Sequence, residues 1–143
     1  AGAEPSYEAI SQACDRAAAI EGIPASAAEV RERVAAGMAS ELIKRALATS
    51  RRWCELYLAA PVDADGVSLV EGYADLVFLG EGIGSELVLV DYKTDASLTD
   101  ETLTHYREQL AAYAELLHRA TDMPVSEMHV LHVPGGQARS IRL

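Results

Sequence analysis

The most restrictive feature of this chain is a short apolar run, Leu87-Val88-Leu89-Val90, that stops at Asp91-Tyr92-Lys93. Four consecutive apolar residues, bounded by a Gly-rich turn before and charges after, fit a central β-strand covered on both faces. Such a strand needs layers above and below it, which favours an α/β arrangement over a bundle. The run Val67–Leu79 precedes it across a turn at Gly80–Gly84 and reads as a second strand, bent at Gly72. If the two pair through a turn near residue 82, Asp75 falls opposite Asp91 or Tyr92 within a residue or two. Asp91 and Lys93 share a strand face because they are two residues apart.

The remaining elements follow from period and punctuation. Ser6 caps an amphipathic helix to about Glu21, ended by Gly22 and Pro24. Ser26 with Glu29 resembles a capping box for a second helix, which Gly37 splits near Ser40, and helix continues to about Ala48. From Arg52 to Pro61 residues alternate as in a strand, and Asp63-Ala64-Asp65-Gly66 reads as a turn. Three such strands joined by short turns predict an antiparallel meander. Thr99 or Asp100 caps a long helix to about Thr121, with Leu103, Tyr106, Leu110, Tyr113 and Leu117 on its buried stripe. Met128–Val133 is a fourth strand, and Pro134-Gly135-Gly136 turns into a final one at Arg139–Leu143.

The strand ends carry the chemistry. A carboxylate at Asp75, between Ala74 and Leu76, is costly to bury alone. Two acids and an ammonium converging from adjacent strands suit a hard divalent cation, Mg²⁺ or Mn²⁺, and metal-assisted hydrolysis of a phosphodiester. The same spacing also fits a solvated Asp91–Lys93 ion pair with Asp75 as an acid near a turn.

Three ordered motifs bear on that choice: Gly72-Tyr73-Ala74-Asp75-Leu76-Val77-Phe78, Leu89-Val90-Asp91-Tyr92-Lys93-Thr94-Asp95, and Tyr106-Arg107-Glu108-Gln109-Leu110-Ala111-Ala112-Tyr113. Together they resemble RecB-like nucleases, the branch of the PD-(D/E)XK superfamily at the end of bacterial RecB-, AddA- or UvrD-type helicase–nuclease chains. The resemblance covers residues 53–133. It implies a restriction-endonuclease-like α/β core: a central mixed sheet, N-terminal helices (residues 1–50) and one long helix after the third strand, with residues 51–143 as the catalytic core. It implies Asp75, Asp91 and the Tyr92 backbone carbonyl as metal ligands, and Lys93 as the catalytic lysine. Gln109 and Tyr113, one helical turn apart, are implied to face the site, although Tyr113 also falls in the apolar stripe and serves equally as core. Tyr106 reads as core, and Asp95 as a residue that bonds the turn after the strand.

The implied activity is Mg²⁺- or Mn²⁺-dependent exodeoxyribonuclease action in double-strand break repair; separately, with no membrane-length apolar run and no start that reads as a signal peptide, the expected location is the cytoplasm. The implied partner is DNA, a single strand delivered by a helicase motor in the same chain or complex. Relatives of this type carry a histidine ligand on a helix at the start of the nuclease domain, whereas the first histidine here is His105. The chain therefore reads as a fragment beginning after that helix, with an inactive module of structural or DNA-guiding role as the alternative. His129 and His132, three apart in a strand, cannot chelate one ion, and His105 and His118 lie over three helical turns apart.

Charge and cysteines narrow the partners. Acids outnumber bases 22 to 12 over 143 residues, a net charge of −10, whereas proteins that hold DNA alone gather Lys and Arg. The isolated chain is accordingly expected to bind DNA weakly and to cleave slowly or not at all. Two cysteines, Cys14 and Cys54, read as free thiols and are too few for a four-cysteine iron–sulfur cluster. No apolar run nears the ~20 residues of a membrane span.

Overall fold

The computed structural model describes residues 5–61, 69–80 and 85–143. The element order is α1 (Tyr7–Ile20), a 3-10 turn (Pro24–Ser26), α2 (Ala27–Ala39), α3 (Glu41–Ala48), β1 (Arg52–Pro61), β2 (Leu69–Leu79), β3 (Leu87–Lys93), α4 (Asp100–Thr121), β4 (Val125–His132) and β5 (Arg139–Arg142). The strands form one five-stranded sheet in the order β1-β2-β3-β4-β5. β1, β2 and β3 are successively antiparallel, as the predicted meander requires. β3 and β4 run parallel, because Leu87 N–H donates to the Pro124 carbonyl at one end and Val133 N–H donates to the Lys93 carbonyl at the other. That parallel pair needs the α4 crossover, and the sheet is mixed for this reason. The turns expected at Asp63–Gly66 and after Gly80 lie outside the described residues.

The chain clusters into two compact units, one of residues 1–50, 93–97 and 131–140, the other of residues 51–92, 98–130 and 141–143. In the first, Ser6 caps α1 by accepting from Ala9 N–H, and Arg31 on α2 pairs with Asp15 on α1. Ser40 ends α2 and starts α3: its hydroxyl donates to the Gly37 carbonyl at 2.7 Å and accepts from Ile43 N–H at 3.3 Å. Ser26 makes no side-chain cap, contrary to the sequence reading; the 3-10 turn at Pro24 holds it at ψ 2°, out of the extended conformation an N-cap needs. Arg33 donates to the Pro134 carbonyl and the Glu32 carboxylate lies over Gly136, so α2 fixes the turn between β4 and β5.

The second unit is built around α4 and the meander. Thr99 and Thr102 form a reciprocal capping box at the start of α4. Leu110, Tyr113, Leu116 and Leu117 pack with Leu58, Ala74, Val77, Leu87, Leu89 and Val130, and Tyr106 packs against that cluster. Leu103 is only half-buried and Leu116 takes its place in the stripe. Leu87–Val90 are at most 1% exposed, as a strand covered on both faces must be.

Candidate active site at the β2–β3 edge

β2 changes face where the site forms. Ala74 and Val77 pack into the same α4-side cluster although they are three residues apart, and a regular strand would point them to opposite faces. The phase break therefore falls at Asp75–Leu76. On β1 the corresponding residue, Glu55, has φ 50°, a left-handed conformation that a glutamate adopts only under constraint. Cys54↔Leu76 and Leu56↔Ala74 pair on either side, and Glu55 with Asp75 is the one position skipped between them. The sequence reading set the bend of β2 at Gly72 instead; there is no signal for it in the residue types at Glu55 or Asp75.

The break frees Asp75 to turn its side chain across to β3. Its Oδ2 accepts the Tyr92 N–H at 2.6 Å, replacing a main-chain ladder bond by a charge-assisted one. The β2–β3 register runs from Leu79↔Leu87 to Leu76↔Val90, and Asp75 and Asp91 are the residues that follow its last pair on the two strands. Asp91 is 5% exposed, and its Oδ2 has no contact with solvent. Burying a charged carboxylate is costly, and a cation is one way to offset that cost. Lys93 is the last residue of β3, two positions beyond Asp91, and its carbonyl is the one that accepts from Val133 N–H.

The Tyr92 side chain stands among the acids of the neighbouring strands. Burial pushes its hydroxyl well above the ordinary tyrosine range, and negative charge at Cys54, Asp75 and Glu55 adds to the shift. Glu55 is thus an exposed acid within electrostatic reach of the site that the motifs did not single out. Alternation along β1 would have set it on a strand face, but its nearness to Asp75 depends on a register invisible in the sequence.

Gln109 and Tyr113 meet each other. Gln109 Nε2 donates to Tyr113 Oη at 3.3 Å, and Tyr113 is buried in the α4 cluster. Its hydroxyl lies directly over Gly72: a Cβ there would come within 2.0 Å of Oη. The glycine is required for this close approach, and it locks α4 to β2 three residues before Asp75. Tyr113 is core, whatever else it does. His129 pairs with Glu127 at 2.8 Å and His132 Nε2 meets the Asp95 carbonyl at 2.7 Å, so these histidines have structural partners. Cys14 and Cys54 are free thiols, one buried and one exposed.

Oxygen donors suit a hard divalent cation, and Asp75, Asp91 and main-chain carbonyls are oxygen donors. Among the described residues no three His, Cys, Asp or Glu side chains gather around one point. A cation at this edge would therefore rest on two carboxylates, backbone oxygen and water. Also among the described residues, no helix is long and apolar enough to cross a membrane.

A mixed sheet with a long crossover helix, and the Asp75–Tyr92 bond next to buried Asp91, define an α/β protein with a candidate site at the β2–β3 edge. The chain matches the family model of the PD-(D/E)XK nuclease superfamily over residues 2–141 and belongs to that superfamily. No curated protein matches the chain.

Proposed function

We propose that this chain is a metal-dependent deoxyribonuclease module of the RecB-like branch, hydrolysing DNA strands fed to it by a helicase motor during double-strand break processing. The observation that carries the reading is the Asp75–Tyr92 bond beside buried Asp91, at the strand end that bears Lys93. Asp75, Asp91 and the Tyr92 carbonyl would hold Mg²⁺ or Mn²⁺, which when bound supplies charge neutralisation at the phosphate and acidification of water. The N–H of Tyr92 holds the Asp75 carboxylate in place before any ion arrives, which lowers the ordering cost of binding. Lys93 would orient the attacking water or stabilise charge developing on the phosphate. Gln109 would act by positioning, through Tyr113 and Gly72, the strand that carries Asp75. The acidic balance fits a module that receives its strand from another part of an assembly.

A second reading, an inactive module with a structural or DNA-guiding role, is favoured by the lack of a third side-chain ligand among the described residues. Prolonged incubation with a labelled single-stranded oligonucleotide separates the two. The nuclease reading expects slow cleavage in Mg²⁺ that EDTA stops and Lys93→Ala abolishes. Cleavage indifferent to EDTA and to Lys93→Ala would contradict it, and no cleavage together with a Tm that Mn²⁺ does not move would favour the inactive module.

A further inference from the structure

The β1–β2 ladder is broken at one position without an inserted residue. Cys54↔Leu76 and Leu56↔Ala74 pair on either side, leaving Glu55 and Asp75 between them. A β-bulge sets two residues against one; here one residue on each strand drops out and the register resumes unshifted. Both strands change face across the break. Leu56, Leu58 and Ala60 pack on the α4 cluster, and so does Val77, the partner of Trp53. Cross-strand partners share a face, so Trp53 and Leu56 lie on one side although alternation would separate them.

Glu55 carries the distortion. Among the described residues, Glu55 and Asp122 are the two that combine positive φ with a side chain. Asp122 closes α4 as its C-cap, where a left-handed residue is customary. Glu55 has no such local reason at φ 50°, and its exposed side chain has no packing to hold it there. A left-handed residue in a strand swings its N–H and C=O off the ladder and resets the pleat. Such strain persists only where the surrounding structure imposes it, and it gathers at functional sites. The residue released on β2 is Asp75, whose Oδ2 accepts the Tyr92 N–H at 2.6 Å on the strand away from β1.

We propose that Glu55 is a positioning residue for Asp75: its left-handed backbone, not its carboxylate, opens the β1–β2 ladder and lets the Asp75 carboxylate turn to β3. The consequence for ion binding rests on the metal reading above. A ladder break also adds twist to a sheet, but twist alone does not require the released residue to take a main-chain partner on the third strand.

Two readouts on the whole chain test this role: NMR amide hydrogen exchange at Tyr92, and Mn²⁺ affinity from EPR of the free ion. Glu55→Val restores an extended strand, because a β-branched residue rejects positive φ. It should speed exchange at Tyr92 as Asp75→Ala does, and weaken Mn²⁺ binding about tenfold or more, the scale on which supporting residues act on metal sites. Glu55→Gly and Glu55→Asn accept positive φ and should keep both readouts at the parent level without the carboxylate. A Val variant that matches the parent in both readouts overturns the role. So do Gly and Asn variants that lose either, since the carboxylate would then be the active part. Where Glu55→Val does not fold, Glu55→Gly should melt above Glu55→Ala; alanine above glycine, the order of a regular strand, overturns the role as well. A parent chain that binds no Mn²⁺, while Tyr92 exchange follows the Val and Gly pattern, overturns the metal reading alone. Mn²⁺ binding with Tyr92 exchange indifferent to residue 55 overturns the positioning alone.

Discussion

Replacing Gly72 by alanine tests how β2 is locked to α4. The added Cβ would lie 2.0 Å from Tyr113 Oη, 2.7 Å from Cζ and 3.0 Å from Cε1. The hydroxyl alone could swing aside, but Cζ and Cε1 belong to a rigid ring in a residue that is 7% exposed. Either α4 shifts or the ring leaves its rotamer, with loss of the Gln109–Tyr113 bond. Overpacking of this kind costs about 1–3 kcal/mol, offset by roughly 0.5–1 kcal/mol because alanine restricts the unfolded chain more than glycine does. The net is a destabilisation of about 1–2 kcal/mol, or roughly 3–8 °C in Tm for a chain of this size. Thermal or urea unfolding measures it, and Tyr113→Phe supplies a double-mutant cycle. Removing the oxygen costs stability in the parent by leaving Gln109 without its bond, yet should recover part of the loss in the Gly72→Ala background. An unchanged Tm for Gly72→Ala, or additive effects of the two substitutions, would refute the packing account.

Three further outcomes follow from named contacts. Asp75→Ala leaves the Tyr92 N–H without its acceptor and should cost about 1–3 kcal/mol in urea unfolding, while Asp75→Asn, which keeps an acceptor oxygen, should cost less. The hydrogen bond to Glu71, with burial and the Glu71 charge behind it, raises the Tyr57 pKa above the ordinary tyrosine value. Glu71→Gln removes that charge, so Tyr57 should titrate at lower pH than in the parent when followed by NMR of labelled tyrosine. Thr99→Ala breaks the capping box of α4 and should lower stability by about 1 kcal/mol in the same unfolding assay.

What could be read from the sequence follows the strength of local signals. Leu87–Val90 read as central because four apolar residues in a row, bounded by a Gly-rich turn and by charges, are too short for a buried helix and fit a covered strand, and the pairing of β2 with β3 followed from equal arms about one turn. The Ser40 break and the Thr99 cap were legible because a hydroxyl before a helical stripe has few other uses. Ser26 has the same chemistry and fails as a cap, since Pro24 had already set the backbone. The phase break at Asp75 and the left-handed Glu55 were not legible: both depend on two strands meeting at one register position, and neither residue type favours such a conformation. Tyr113 was ambiguous between core and site because one helix face serves both, and only the contact with Gly72 resolves its packing role.

The acid pair is tested most directly by thermal unfolding of the chain during titration with Mn²⁺, beside Asp91→Asn. A divalent ion held by Asp75 and Asp91 in the folded state should raise Tm progressively, by the equivalent of about 2.7 kcal/mol at a hundredfold excess over Kd. Asp91→Asn should abolish that response, with each variant's shift measured from its own ion-free Tm. A parent chain whose Tm does not move with Mn²⁺, or an Asp91→Asn variant that responds as the parent does, would contradict the assignment of this strand edge as a metal site.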